Sequence, residues 1–301
     1  MAKRTKKSSK SPSVSSNTND TDISPRALRT LEKALANFGK VPGGASLLDS
    51  GPGESPLDRA QTLIYDAWEI PNPAKKISLA RQALAICPDC ADAYVLLAEY
   101  QARTLEASIE QFRLAVEAGQ RALGAKTFQE DVGHFWGLLE TRPYMRARVA
   151  LASAHWEFGE RSVAIAHAQD LLRLNPNDNQ GVRAVLMTWL LLAGHLSDGR
   201  QLWKRYENDG SAAWAWSLAL MNFIERGDGP DANTSLQEAI TNNPHLAPLL
   251  LGRTALPAHP PDFIGVGDRD EAIAYAFDNM DLWQQTDGAL RWLSRAVPSP
   301  H

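Results

Sequence analysis

The sequence predicts an all-α protein, a solenoid of stacked helical pairs that ends in a C-terminal helical cap. Prolines close three segments rich in Ala and Leu, at Pro88, Pro176 and Pro244. Pro176 and Pro244 lie 68 residues apart, twice the period of about 34 residues of the tetratricopeptide repeat (TPR), a helix-turn-helix unit. Pro88 and Pro176 lie 88 residues apart, which is two such periods plus 20 residues. The spacing therefore predicts about five TPR-like pairs with one insertion.

Apolar residues recur at helical spacing inside each repeat, as in the stripe Ala60, Leu63, Ile64 and Ala67. Small residues lie where two helices must approach closely, as TPR-like packing requires. The predicted helices are 58–69 and 74–86 in the first repeat, one from 92 and one through 109–116 in the second, 144–158 and 161–174 in the third, a looser pair within 178–206, and a pair within 211–244.

The pattern changes after Pro244. Residues 252–267 are rich in Gly and Pro and predict a loop. Helices are predicted at 269–284 and 287–297, with Asp268 as N-cap and Glu271 three residues into the first of them. The predicted organisation is a disordered, basic, Ser-rich tail at 1–25, a short helix and Gly/Pro linker at 26–56, TPR-like repeats at 57–244 with an insertion near 124–143, and a C-terminal loop with capping helices at 245–301.

The charge distribution argues against a nucleic-acid platform. The 301 residues carry a net charge of −4, while residues 1–10 hold five Lys and Arg and no acidic residue. The body of the protein is therefore acidic, whereas phosphate binding needs clustered Lys and Arg. Nucleic acid is expected to bind only through the basic N-terminal tail, if anywhere. No apolar run approaches the roughly 20 residues of a transmembrane helix, so no membrane association is predicted.

The two cysteines, Cys87 and Cys90, form a single C-x-x-C motif. Zinc sites usually need four ligands, and no second motif of this kind is present, so no metal site is predicted. The motif joins two predicted helices, which favours a structural role. A redox role stays open, because a thiol near a helix N-terminus can have a lowered pKa. Few cysteines and no secretory signal predict a cytoplasmic location.

Partner-binding candidates come first from the first helix of each pair, which lines the concave face of a TPR array. Aromatic and Arg side chains on such a face supply binding hot spots. These candidates are Tyr65, Trp68, Glu99, Arg103, Arg146, Trp156 and Trp214. For Trp68, Trp156 and Trp214 a place in the core is an equal alternative, since indoles pack well against neighbouring helices.

The predicted insertion adds His134, Trp136 and Arg142 to these candidates. Arg142 and Arg146 lie at helical spacing and form a reasonable site for a carboxylate or a small anion. The alternative is a structural plug, in which the apolar residues of the insertion fill a gap in the stack and Glu140 pairs with an Arg. One His and one Glu without a nucleophile make a weak catalytic constellation.

Two stretches of the sequence resemble the suppression-of-tumorigenicity-seven family. They are CPDCADAYVLLAE at 87–99 and the C-terminal region, with Asn-Pro-His at 243–245, Glu-Ala-Ile-Ala-Tyr-Ala at 271–276 and Gly-Ala-Leu at 288–290. The resemblance covers roughly 75–295 and implies a TPR-like region followed by a distinctive C-terminal segment. Animal members carry membrane segments, so this chain resembles a soluble, bacterial relative. The family has no established activity to transfer.

The sequence contains no P-loop, no G-x-S-x-G and no dinucleotide-binding fingerprint. No cofactor and no enzymatic activity are therefore predicted. The function expected is a non-enzymatic scaffold or adaptor that binds a protein or peptide on its concave face. The alternative is a regulatory protein that responds to a small anion or nucleotide through the His- and Arg-rich insertion.

Overall fold

All regular secondary structure in the described part of the chain is helical, as the sequence predicts. The computed structural model describes residues 55–261 and 263–297. The predicted N-terminal tail and the predicted helix at 26–38 lie outside these residues. Within the same ranges, every helix is too short or too polar to span a bilayer.

The thirteen α-helices of the described residues are numbered here in chain order. They are α1 (Pro56–Glu69), α2 (Pro73–Ile86), α3 (Ala91–Tyr100), α4 (Leu105–Glu130), α5 (Arg142–Phe158), α6 (Arg161–Leu174), α7 (Val182–Leu192), α8 (Leu196–Arg205), α9 (Ala212–Arg226), α10 (Pro230–Asn242), α11 (Leu246–Leu250), α12 (Arg269–Gln285) and α13 (Ala289–Ala296). A short 3₁₀ helix, Phe135–Gly137, precedes α5.

Local capping residues set many helix starts. Ser55 and Asp58 form a capping box at α1, where each side chain accepts a hydrogen bond from the other residue's backbone N–H. Asn72 and Asp268 cap α2 and α12 in the same manner as N-cap acceptors. The predicted N-cap at Asp268 is confirmed, because its carboxylate accepts the Glu271 N–H at 2.7 Å.

The helices that precede Pro88, Pro176 and Pro244 end in a similar way. The residue before each proline is the C-cap of a helix, namely Cys87, Asn175 and Asn243, and Cys87 and Asn243 are extended. Its N–H still bonds to the carbonyl four residues earlier. The following proline lacks an N–H and cannot continue the helix, so the chain reverses there.

Consecutive helices pack side by side from α1 to α8, and α9 packs on α10. The first helices of neighbouring pairs also touch, α1 with α3, α3 with α5 and α7 with α9. Gly119 allows the closest approach of α4 to α5, because a Cβ added there would meet the Tyr144 Cβ at 3.0 Å. Larger side chains at position 119 would push these two helices apart.

The stretch at 124–143 is more helical than a loop insertion. Gly124 adopts a positive φ of 71° and kinks α4, but the helix continues to Glu130. Phe128 then packs on Phe135 and Tyr144, with ring centroids 5.2 and 5.0 Å away. These contacts order the segment, so only residues 131–141 connect α4 to α5 without α-helix. Of the apolar residues in this segment, Phe135 is buried whereas Leu139 is 68% exposed.

The C-terminal helices cover the last part of the helical array. Helix α12 packs on both α7 and α9, and α13 packs on α10. Trp216 of α9 meets Trp283 of α12 with ring centroids 5.8 Å apart, and Trp283 stacks on Trp292 of α13 at 6.3 Å. The predicted cap is therefore more than an end piece, since α12 lies across the first helices of two pairs.

Glu271 fixes α12 in this position. Its buried carboxylate accepts the Ala212 N–H at the start of α9 at 2.9 Å and the Gly267 N–H at 2.8 Å. It also accepts the side-chain amide of Asn243 at 3.0 Å. One carboxylate thus satisfies donors from α9, from the loop before α12 and from the turn after α10, which a buried charge requires.

We expect Glu271→Ala to lower the free energy of unfolding by about 2–4 kcal/mol, because three donors, two of them buried, lose their acceptor. Urea unfolding of the full chain measures the change. Asp270→Ala is the matched control, since Asp270 is exposed in the same helical turn and its loss should cost below about 1 kcal/mol. Equal losses for the two variants would contradict this role of Glu271.

Candidate functional site

A buried ion pair joins α3 to α5. Arg146 donates its Nε to Asp92 Oδ1 at 2.9 Å and a second bond from Nη2 to Asp92 Oδ2. Asp92 is fully buried and the Arg146 side chain is 8% exposed. Burial alone would lower the pKa of Arg146, but the paired carboxylate outweighs burial and raises it. Arg146 therefore does not provide an open anion site with Arg142, because Asp92 already neutralises it.

Helix α1 closes around this pair. Gln61 donates its amide to Asp92 Oδ2 at 2.8 Å. The Trp68 ring lies over the Arg146 guanidinium, with 5.1 Å between the guanidinium carbon and the ring centroid. Tyr65 lies 5.5 Å from Trp68, centroid to centroid. The structure thus brings Tyr65, Trp68 and Arg146 together, as the helical positions predict.

The two aromatic side chains remain at the surface. Tyr65 is 39% exposed and Trp68 is half-buried. Burial raises the pKa of Tyr65, while the positive charges of Arg146 and Arg142 act in the opposite direction. We call the surface of α1, α3 and α5 around Tyr65, Trp68 and Arg142 the aromatic face.

Arg142 begins α5 at the edge of this face. Its Nε donates to the Trp136 carbonyl at 3.1 Å, and its guanidinium carbon lies 5.2 Å from the Trp136 ring centroid. Thr141 holds the connecting segment by donating to the Phe135 and Leu138 carbonyls. His134 is exposed just before the 3₁₀ helix. No ion pair of Arg142, with Glu140 or another acid, occurs within residues 55–261 and 263–297.

Two of the remaining candidates, Trp156 and Trp214, pack elsewhere. Trp156 stacks on Trp189 of α7 with ring centroids 4.9 Å apart. Trp214 is 1% exposed and donates its Nε1–H to the Trp203 carbonyl, so it belongs to the core and cannot meet a partner. Glu99 is half-buried near the end of α3, and Arg103 is exposed beyond it. The sequence alone did not decide whether Trp214 lies in the binding groove or in the core, because an indole suits both environments.

Cys90 lies beneath the aromatic face as a buried free thiol. Burial and the neighbouring Asp92 carboxylate raise its pKa to about 12. The expectation of a lowered pKa at the helix N-terminus is wrong for this residue, since desolvation and a nearby negative charge outweigh the helix dipole. Its proximity to Gln61, with 3.9 Å between Sγ and Oε1, fits a packing role.

A second polar cluster lies between α5 and α6. His155 and His167 stack with ring centroids 5.7 Å apart, and His155 meets Glu160 at 2.5 Å. His167 Nδ1 accepts the Arg148 Nε–H at 3.2 Å, while Arg148 pairs with Asp170 at 2.5 Å. A shallow depression of about 350 Å³ opens here, lined by Arg148, Ser162, Val163, Ala166 and His167. The sequence placed both histidines on separate helices and did not predict their contact.

Position in the repeat predicted which helices carry the site, but not the pairing of charges within it. Asp92 and Gln61 lie on the predicted faces of the first two repeats. The bond between Asp92 and Arg146 joins residues 54 positions apart, and the bond between Gln61 and Asp92 joins residues 31 positions apart. A usable signal was present in the sequence, since opposite charges occupy the same side of two neighbouring first helices.

We expect Asp92→Ala and Arg146→Ala each to cost about 3–5 kcal/mol of unfolding free energy, because each leaves a buried charge without its partner. The double variant should lose clearly less than the sum. Urea unfolding of the parent chain, the two single variants and the double variant gives the four free energies of this double-mutant cycle. Glu110 and Arg113 form an exposed pair on α4 for comparison, where solvent screening should leave little or no coupling. Additive losses at Asp92 and Arg146 would refute the pair as a structural unit.

We expect His167 to weaken the fold under mildly acidic conditions. Burial, Arg148 and His155 lower its pKa from 6.5 to about 4. The unfolded chain therefore takes up the proton first, so stability falls as the pH drops below 6.5 and the loss is complete near 4. His167→Gln should make unfolding free energy less pH-dependent across this window. His195→Gln, at an exposed histidine, is the control; matching profiles for His167→Gln and the parent chain would exclude the effect.

Comparison with known proteins identifies the family. The family model described as ST7 protein matches residues 53–223. "Protein ST7 homolog" of Caenorhabditis elegans is 30% identical over 271 residues, which cover 76% of this chain and 49% of the relative. "Suppressor of tumorigenicity 7 protein-like" of Bos taurus is 27% identical over 275 residues, covering 81% and 49%. "Suppressor of tumorigenicity 7 protein" of Macaca fascicularis is 25% identical over 300 residues, covering 81% and 55%.

The chain spans about half the length of these curated relatives. All three come from animals, and a bacterial source for this chain is not confirmed. The predicted resemblance to the suppression-of-tumorigenicity-seven family is confirmed by the match over residues 53–223. The chain belongs to the ST7 protein family.

Proposed function

We propose that this chain is a non-enzymatic adaptor that binds a protein or peptide partner on the aromatic face. In this proposal the helical pairs form a TPR-like solenoid, and α1, α3 and α5 line the part of its inner surface that stays accessible. The contacts of α1 with α3 and of α3 with α5 support this arrangement. A cytoplasmic setting is part of the same proposal, supported by two cysteines that are both free thiols.

One observation carries the proposal: exposed aromatic side chains rest on a rigid buried base. Tyr65 packs on Trp68, Trp68 packs on Arg146, and Arg146 is held by Asp92. Side chains that are ordered before binding lose little conformational freedom when a partner arrives. Partner surfaces concentrate their binding energy in such Tyr, Trp and Arg anchors.

The C-terminal helices favour the N-terminal half of the array as the binding surface. Helix α12 covers α7 and α9 through buried contacts, including a 2.8 Å hydrogen bond from Thr188 to Asn279. A partner would have to remove a core helix to reach those first helices. The aromatic face requires no such rearrangement, since Tyr65 is already 39% exposed.

A second candidate function is a regulator that binds a small anion or nucleotide. The observation that favours it is Arg142, whose guanidinium is positioned by Trp136 and meets no carboxylate in the described residues. Thermal unfolding in the presence of nucleotides and of inorganic phosphate tests this candidate. A rise in melting temperature that disappears in Arg142→Gln supports it, and an unchanged melting temperature throughout excludes it.

We expect Tyr65→Ala and Trp68→Ala to remove the partners that the full-length chain captures, because each variant deletes an aromatic anchor. Affinity capture from a lysate of the source organism, followed by quantitative mass spectrometry, measures the loss. Phe158→Ala is the matched control, since Phe158 is an aromatic residue of similar exposure, 43%, at the far end of α5.

The contrast between the variants decides the outcome. Partners kept by Phe158→Ala but lost by Tyr65→Ala support the aromatic face. Identical captured sets for all variants would contradict it, provided that circular dichroism shows each variant to be folded.

A further inference from the structure

We propose that the segment bound by the aromatic face is an acidic peptide, with a carboxylate at Arg142 and an apolar or aromatic side chain against Tyr65 and Trp68. The inference rests on the adaptor function proposed above and specifies the chemistry of the partner. It follows from which charges on this surface are already compensated and which are not.

The charge of Arg146 is neutralised within the protein by Asp92. Its guanidinium donates two bonds to Asp92, the Trp68 ring lies over it, and its side chain is only 8% exposed. A partner therefore meets the aromatic side chains above Arg146 and not its charge. At this position the surface selects for aromatic or aliphatic groups, which gain from desolvation against the two rings.

The charge of Arg142, in contrast, is not neutralised by any carboxylate of the described residues. Its Nε is occupied by the Trp136 carbonyl, and the Trp136 ring covers one side of the guanidinium. These contacts leave the two terminal nitrogens for another acceptor, and no carboxylate reaches them in the part of the chain that the structure describes. Other arginines of α5 differ, since Arg146 pairs with Asp92 and Arg148 with Asp170.

Arg142 and the aromatic pair lie within reach of one ligand. Arg142 lies one helical turn before Arg146 on the same side of α5, and the Trp68 ring lies over the Arg146 guanidinium at 5.1 Å. A planar guanidinium held on one edge binds a carboxylate through two parallel hydrogen bonds. A short peptide can therefore place an Asp or Glu side chain on Arg142 while a neighbouring residue packs on Tyr65.

The two ends of the aromatic face carry opposite charges, Arg142 at one end and Glu69 at the other. Glu69 ends α1 one helical turn after Tyr65 and is exposed. Residues four apart lie on the same side of a helix, so Glu69 places a negative charge beyond the aromatic pair. An acidic residue is favoured at the Arg142 end of the peptide and disfavoured at the Glu69 end. This asymmetry distinguishes an ordered acidic motif from general attraction of negative charge.

The test selects peptides without assuming a sequence. A phage-displayed library of random peptides is selected on the immobilised full chain, and the enriched peptides are synthesised and measured by fluorescence anisotropy. We expect Asp or Glu beside an aromatic or aliphatic residue. Arg142→Gln should weaken binding about tenfold or more, because a charge-assisted bidentate contact is lost.

Arg161→Gln is the matched control. Arg161 also begins a helix and lies over a tryptophan, with 5.3 Å between its guanidinium carbon and the Trp156 centroid. It should leave peptide affinity unchanged. Replacing the acidic residue of the peptide by its amide should weaken binding to the parent chain by the same factor, with no further loss in Arg142→Gln. Arg142→Lys, which keeps the charge, should restore part of the affinity.

Each other result has a defined meaning. Enriched peptides that are neutral or basic, or an Arg142→Gln variant with unchanged affinity, overturn the acidic motif while Tyr65→Ala sensitivity preserves the adaptor function. No enrichment of any peptide removes both proposals. Calorimetric binding of inorganic phosphate alone, lost in Arg142→Gln and without peptide binding, assigns Arg142 to the small-anion function and overturns the inference.

Discussion

The buried pair between Asp92 and Arg146 is the interaction on which the candidate surface depends. A charge placed in the protein interior must be compensated, and each of these two residues is the other's compensation. Because they lie on α3 and α5, the pair fixes the relative position of two first helices. Gln61, Tyr65 and Trp68 extend the same network to α1. The aromatic side chains at the surface are ordered because the charges below them are.

A second carboxylate has a comparable role at the other end of the molecule. Glu271 joins the turn after α10, the start of α9 and the loop before α12. The Asn-Pro-His turn at 243–245 and the start of α12 thus meet through Asn243 and Glu271. These contacts hold α12 across α7 and α9. That placement covers α7 and α9, whereas Tyr65 on α1 stays 39% exposed.

Much of the fold could be predicted from the sequence, whereas less of the site could. Helix boundaries at α5, α6 and α12 agree with the predictions within two residues, because capping residues, Gly and Pro act locally. Tyr65, Trp68 and Arg146 were selected through repeat position and do come together. The exclusion of Trp214 from any surface, and the different states of Arg142 and Arg146, were not predictable in the same way. Both arginines occupy one side of α5, and only the presence of Asp92 opposite one of them separates their roles.

The sequence by itself determined where helices begin and end and where the chain reverses, since Ser55, Asn72, Asp268 and the three prolines act on their own neighbours. The tertiary structure alone decided which polar groups are compensated. It buried Arg146 against Asp92, left the terminal nitrogens of Arg142 without a carboxylate in the described residues, and raised the pKa of Cys90 to about 12. The physical reason is that solvation and charge pairing depend on groups from other helices, which are distant in the chain and adjacent only after folding.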